Sequence, residues 1–374
     1  MIITSGGVVK NSIRAVAASI LIFAAGAASA EDWPMFRANA ARTGSAESSS
    51  RGAASITGRV VWQKYSDGPI QSSPAISGGM VYFGSNDGSL YAVSAADGTT
   101  IWRFTTSNWI ASSPAVGAGL VVFGSYDGKV YALDPATGDL KWQFTTHNMV
   151  ASSPAISNGR VYFGSLDGSI YCVDAKTGWE KWSYKAGREV FGSPAVVGGV
   201  VYIGNHDGKM MALDANTGKL KWRAIVGGPI TAAPAVANGY VYFGSWDGIL
   251  YCAEIKNQAV VWRYDSGSSI ESAPLVANGR LFFGNLDGVM TSLNAANGGV
   301  LWKTETSEAI SSAPSLKGGQ LFFGNNANDV YSIDANTGSV MWQLKTDGIV
   351  TTSPAAGTDS IYVTGIDSSI RCIM

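Results

Sequence analysis

The sequence predicts an all-β fold, an eight-bladed β-propeller of four-stranded antiparallel blades closed by its N-terminal strand, and three observations carry that prediction. Trp62, Trp102, Trp142, Trp182, Trp222, Trp262, Trp302 and Trp342 recur every 40 residues without a slip, and Pro74, Pro114, Pro154, Pro194, Pro234, Pro274, Pro314 and Pro354 keep the same spacing. A fixed period of this size marks a repeat architecture and is read before any local propensity. Each unit also contains four short strand-like runs divided by turn signals. Finally, the chain stops at Met374, after the third run of its last unit, while an unmatched fourth run surrounds Trp62 near the start.

Within a unit, the first strand is of the type "SSPAI" and leads to a Gly-Gly or Asn-Gly turn such as Gly78–Gly79 or Asn158–Gly159. The second, "MVYFGS", ends at an Asp-Gly pair (Asp87–Gly88, Asp127–Gly128, Asp167–Gly168), which predicts a two-residue hairpin with both turn positions at positive φ. The third is of the type "SLYAV" and turns through a Thr-Gly corner into the fourth, "TTIWRF". Strand two is apolar almost throughout (Val81, Tyr82, Phe83; Val161, Tyr162, Phe163), whereas a strand with one wet face would alternate. Continuous apolarity implies cover on both faces, which a blade between two neighbours has and a flat sandwich lacks.

Closure follows from the chain ends. If "GRVVWQKY" around Trp62 supplies the strand missing after "SIRCIM", the last blade is built from both termini and the ring has no raw edge to template aggregation. Three units depart from the turn pattern: Glu254, Asn257 and Gln258 replace the corner of unit five, Ala327–Asn328 and Asp367–Ser368 replace Asp-Gly in units seven and eight.

Composition agrees with many short strands and tight turns, with 46 Gly, 11% aromatic and only 14% charged residues. A net charge of −1, with charges scattered, offers no basic stripe for nucleic acid or an anionic membrane. At the N-terminus, Lys10 and Arg14, the apolar run "AVAASILIFAAGA" and then "ASA" follow the order of a secretory signal, with cleavage expected after Ala30. The domain reading is a signal peptide over residues 1–30, a lead-in over 31–57 with a flexible stretch from Thr43 to Thr57, and the propeller over 58–374. An exported, periplasmic or extracellular, soluble monomer is expected, without a transmembrane segment in the mature chain and, with no cysteine near the cleavage point, without a lipid anchor. Cys172, Cys252 and Cys372 share the repeat slot of Ala92, Ala132, Ala212, Ser292 and Ser332, so they read as small buried residues and neither as metal ligands nor as a disulfide.

The string Ala132-x-Asp134-x-x-Thr137-Gly138-x-x-x-Trp142 resembles the tryptophan-docking repeat of the PQQ-like (pyrroloquinoline-quinone-type) β-propellers, a superfamily that takes in BamB-like outer-membrane assembly factors and quinoprotein alcohol dehydrogenases. Asp174/Thr177/Gly178/Trp182, Asp214/Thr217/Gly218/Trp222 and Asp334/Thr337/Gly338/Trp342 repeat it, and "DWPMFRANAARTG" resembles the lead-in of such proteins. The resemblance implies that each scaffold tryptophan docks between the small residue of its own motif and a glycine peptide of the next blade. For the dehydrogenases it further implies a cofactor and calcium held in long insertions, an adjacent Cys-Cys pair and acidic calcium ligands. This chain has no adjacent cysteines, and its units all keep to 40 residues. No catalytic residue, resident metal or cofactor is therefore expected; a PQQ-dependent oxidoreductase with calcium is the alternative.

Because the scaffold dictates most slots, residues that vary between copies on one rim are the candidates for function. Four-strand alternation places the loop between strands two and three on the same rim as the linker between blades. There Trp109, Tyr126, Arg188, Glu189, His206, Trp246, Glu271 and Glu308 bring aromatic surface and unusual charge, and Trp, Tyr and Arg dominate contact energies. The expected function is a non-enzymatic scaffold that binds a protein or peptide partner of the cell envelope through this rim, in outer-membrane protein assembly as in the BamB-like members. A carbohydrate-binding module stacking sugars on Trp109, Tyr126 and Trp246 is a further alternative.

Overall fold

The computed structural model describes residues 32–45 and 55–374, so the signal segment expected over 1–30 lies outside the described residues. The strands form eight separate four-stranded antiparallel sheets. Blade 1 is a simple meander of Ala75–Ser77, Met80–Gly84, Ser89–Ser94 and Thr100–Thr105, and blades 2 to 7 repeat it at the 40-residue spacing. Blade 8 consists of Ala355–Ala356, Ile361–Thr364 and Ser369–Ile373, completed by Val60–Tyr65 from the other end of the chain. Trp62 stands opposite Cys372, the two N–H···O bonds between Arg59 and Met374 seal the end of the pair, and the ring is closed as the sequence predicts.

Burial follows from that closure. In blade 1 the second and third strands are buried almost throughout, while the outermost strand Thr100–Thr105 shows mainly its Trp102 to the interior. Neighbouring blades cover both faces of the inner strands, which is why these read as unbroken apolar runs.

The turns differ in one respect from the sequence reading. Gly78 and Gly79 both have positive φ (59° and 77°), as a two-residue type I′ hairpin requires. At Asp87–Gly88, by contrast, only Gly88 is left-handed (φ 82°); Gly88 N donates to Ser85 O and Ser85 N to Ser89 O, giving a longer turn that ends on a left-handed residue. The reason lies in the aspartate. Its carboxylate accepts from Ser89 N at 2.7 Å and from the Tyr91 hydroxyl at 2.7 Å, which ties the loop back onto the third strand. Asn328 (φ 66°) and Ser368 (φ 64°) stand in the glycine position of units seven and eight, and Gln258 (φ 57°) in the corner of unit five.

Adjacent blades are joined by a repeated lock. Trp102 Nε1 donates to Pro135 O at 2.9 Å in the next blade, and the Tyr82 hydroxyl of its own blade donates to the same carbonyl at 3.1 Å. Trp182 and Tyr162 share Ala215 O in the same way, at 3.0 and 3.2 Å. Trp62 uses Ala95 O, and Trp342 uses Ile56 O on the lead-in. Seven of the eight scaffold rings lie on a glycine, that of the next corner or, for Trp342, Gly58 of the lead-in, while Gln258 takes the position in unit five; a Cβ on Gly178 would sit 2.7 Å from Trp142 Cδ2. Across its own sheet the tryptophan faces the small slot: Ala92 opposite Trp102, Cys172 opposite Trp182, Ser292 opposite Trp302. The three cysteines are free and buried on separate blades, and burial pushes Cys172 up to about 11 and Cys252 up to about 12.

Candidate functional site

One rim carries the loops between strands two and three together with the linkers between blades, and the backbone fixes the pairing. Tyr126 N donates to Trp109 O, Leu166 N to Met149 O, His206 N to Glu189 O and Trp246 N to Pro229 O, each at 2.9 or 3.0 Å, and the other four blades repeat the bond. The side chains above this register are therefore free to vary without loss of the scaffold.

Over blades 2 to 5 they form an apolar arc. Trp109 stacks on Tyr126 with ring centroids 6.2 Å apart and planes 30° from parallel. Two blades on, Phe191, His206 and Trp246 make a chain of rings, with centroids 5.9 Å apart in the first pair and 5.5 Å in the second, which is edge-on. Met149 and Leu166 lie on the blade between. Trp109, Trp246 and Met149 remain 48%, 40% and 37% exposed. Trp246 is held by Nε1 donating to Thr231 Oγ1 at 2.9 Å, and its carbonyl accepts from Ser269 Oγ at 2.8 Å. Burial raises Tyr126 above the ordinary phenol range. Arg188 reaches Glu189 at 3.3 Å, an exposed pair of little energetic weight. His206 Nδ1 is buried without a hydrogen-bond partner.

Of the sequence candidates, Trp109 with Tyr126 and Arg188 with Glu189, His206 and Trp246 are thus brought into two neighbouring groups. Glu271 stands apart from them at the mouth of the axial cavity, where its carboxylate accepts from Ser311 Oγ at 3.4 Å. Glu308 is exposed on the far side of the same rim. On the opposite rim, Trp179 is 77% exposed in a slot held elsewhere by residues such as Asp139, Lys219 and Ser339; sequence reasoning passed it over because it belongs to a scaffold corner.

The lead-in closes the axis from that opposite rim. Residues 33–44 run across the inner strands, exchanging two bonds between Trp33 and Ile76 and accepting from Val116, Val196, Val236, Val276 and Leu316. Arg37 and Arg42 are 1% and 0% exposed, and their guanidinium groups donate only to carbonyls: Arg37 to Ala273, Pro274, Thr43 and Arg42, and Arg42 to Ser153, Pro154, Pro194 and Phe36. Burial lowers both to about 9. Arg37, Ala38 and Arg42 have φ of 62°, 70° and 57°, a conformation costing about 1–2 kcal/mol per residue that the ring of contacts must hold in place. Above this floor, Phe36 bounds a polar cavity of about 180 Å³ that opens on the aromatic rim past Gln71, Thr231, Glu271 and Thr351.

Residues 53–146, 86–233, 222–348 and 286–373 match the family described as outer membrane protein assembly factor BamB. The chain belongs to that family. Among solved structures, this BamB-family propeller is similar to BamB from Moraxella catarrhalis (TM-score 0.76, 20% identity, 84% of this chain and 99% of that one). It is also similar to the quinohemoprotein alcohol dehydrogenase from Comamonas testosteroni (TM-score 0.79, 14% identity, 92% and 80%) and to a europium-containing methanol dehydrogenase (TM-score 0.75, 14% identity, 89% and 89%). At these identities the likeness is one of fold. No curated protein matches the sequence.

The dehydrogenase likeness raises the question of whether a quinone and calcium fit the axis. Among the residues lining the cavity Glu271 is the one carboxylate, and the rest are serine, threonine, alanine, glutamine and Phe36. Among the described residues no group of three or more His, Cys, Asp or Glu side chains is placed to share a metal ion. The lining of this BamB-family chain does not supply the acidic calcium ligands that the resemblance implies.

Proposed function

We propose that this propeller is an exported scaffold that binds a protein or peptide partner of the cell envelope through the rim over blades 2 to 5. The observation that carries the reading is the arc of Trp109, Met149 and Trp246, large apolar side chains left 37–48% exposed on loops whose backbone is fixed by the eightfold hydrogen-bond register. Rigid aromatic anchors presented at low entropic cost, rimmed by charge, are what a protein interface uses. Arg188 and Glu189 supply that charge beside the arc. The family description, outer membrane protein assembly factor, supports a partner in outer-membrane protein assembly. Such a role belongs in the periplasm; among the described residues no helix is long and apolar enough to cross a membrane. A pull-down from envelope extract tests the reading: Trp109→Ala, Arg188→Ala and Trp246→Ala combined should abolish capture of the partner that the wild-type chain retains. An unchanged set of captured proteins contradicts it.

A further inference from the structure

The axial cavity carries a pattern of serine hydroxyls whose protons neither the blade scaffold nor the rim uses. In the slot before each strand-one proline the chain has serine in five consecutive blades, Ser353, Ser73, Ser113, Ser153 and Ser193, and alanine in the other three, Ala233, Ala273 and Ala313. Every one of these serine oxygens accepts the N–H of the same slot one blade back. Ser73 Oγ accepts from Ser353 N at 2.9 Å, Ser113 Oγ from Ser73 N at 2.9 Å and Ser153 Oγ from Ser113 N at 3.0 Å. Ser193 Oγ accepts from Ser153 N at 3.0 Å, and Ser353 Oγ from Ala313 N at 3.2 Å. With each oxygen accepting from the backbone, the hydroxyl proton is left to donate into the cavity that the serines line.

The alanine arc is already filled, because Phe36 packs on Ala232, Ala233, Ala273 and Ala313. The open part of the cavity thus faces the hydroxyls. Below it lie Arg37 and Arg42, two buried cations with no carboxylate partner among the described residues. Arg42 Nη2 donates to Ser153 O at 3.0 Å, so its charge sits one residue's backbone from the Ser153 hydroxyl. A buried charge balanced only by carbonyl dipoles is costly, and an anion nearby lowers that cost. Glu271 at the mouth repels a second negative charge, which favours a monoanion over phosphate or sulfate.

We propose that this axial cavity binds a single carboxylate group, on the hydroxyls of Ser73, Ser113, Ser153, Ser193 and Ser353 and in the field of Arg42. About 180 Å³ admits a small monocarboxylate or the C-terminal carboxylate of a peptide entering from the rim. The site is independent of the aromatic arc, and its test is separable from that of the rim.

The probes are acetate, an N-acetylated alanine tripeptide with a free C-terminus and the same tripeptide amidated, titrated into the full mature chain by saturation-transfer NMR and calorimetry. Saturable binding of acetate is expected, weakened by at least about a hundredfold in the double variant Ser113→Ala/Ser153→Ala, which removes two hydrogen bonds to a charged group. That variant should fold, since three blades already carry alanine in the slot. Glu271→Gln should tighten binding, and Trp109→Ala should leave it unchanged. Tighter binding of the free-acid peptide than of acetate, with none of the amide, identifies a chain terminus as the ligand; binding of acetate alone identifies a free acid. Absence of saturable binding by both acids, an unchanged affinity in the serine double variant, or weaker binding in Glu271→Gln overturns the proposal.

Discussion

Replacing Gly178 by alanine is a local test of how the blades are locked, and its cost can be worked from the structure. Gly178 has φ +72°, where a residue with a Cβ is strained by about 1–2 kcal/mol. The added Cβ would lie 2.7 Å from Trp142 Cδ2 and 2.8 Å from Cε3, closer than real contacts allow. Gly178 cannot retreat easily, because its N–H donates to Asp174 O at 2.8 Å. The indole must move instead, and with it goes the bond from Trp142 Nε1 to Ala175 O at 2.8 Å, worth about 1 kcal/mol net. A loss of about 3 kcal/mol is expected, read from urea unfolding as a lowered midpoint with an unchanged slope. Unit five supplies the opposite control. There Gln258 already occupies the corner with φ 57°, so Gln258→Gly should stabilise by about 1 kcal/mol. Gly178→Ala within about 0.5 kcal/mol of wild type would refute the lock as described.

Three further outcomes follow from the same geometry. Gly44→Ala, at φ +75° and with a Cβ that would collide with the Arg37 guanidinium, should release the lead-in from the axis, seen as faster proteolysis within residues 32–45 while the blades stay folded. Lys181, whose Nζ lies 3.1 Å from Asp174 Oδ2, is the main cause that holds this carboxyl at about 2; its stabilising contribution is present above the ordinary value of 3.8 and is lost as pH falls through about 2, so Lys181→Met should raise the Asp174 titration midpoint in NMR. Cys172 and Cys252, with thiols pushed up to about 11 and about 12 by burial, should resist iodoacetamide at pH 8 in the folded chain and react only with denaturant present.

The ring was legible because its signals are periodic. Eight tryptophans and eight prolines at one spacing fix the blade count, and the surplus strand around Trp62 fixes the closure, since a strand's place in a sheet is set by what it lacks elsewhere. The shared rim was legible from alternation alone, and the eight bonds of the Tyr126–Trp109 type lie where it places them. The type of the Asp-Gly turn was not, because the extra constraint comes from Tyr91 and Ser89 gripping Asp87, a contact four residues long that a dipeptide rule ignores. Nor was the axial floor. The lead-in has no repeat phase, so its sequence carries no signal that the ring's carbonyls bury Arg37 and Arg42. One sign was present: the change from Ser to Ala before Pro234, Pro274 and Pro314 marks the arc against which Phe36 packs.

Whether the aromatic rim is the partner face is read out by placing a photo-crosslinking amino acid at Trp109, at Trp246 and, on the opposite rim, at Trp179, and irradiating the chain in envelope extract. The account predicts a common adduct from positions 109 and 246 and none from 179. An adduct formed only at 179 would contradict it.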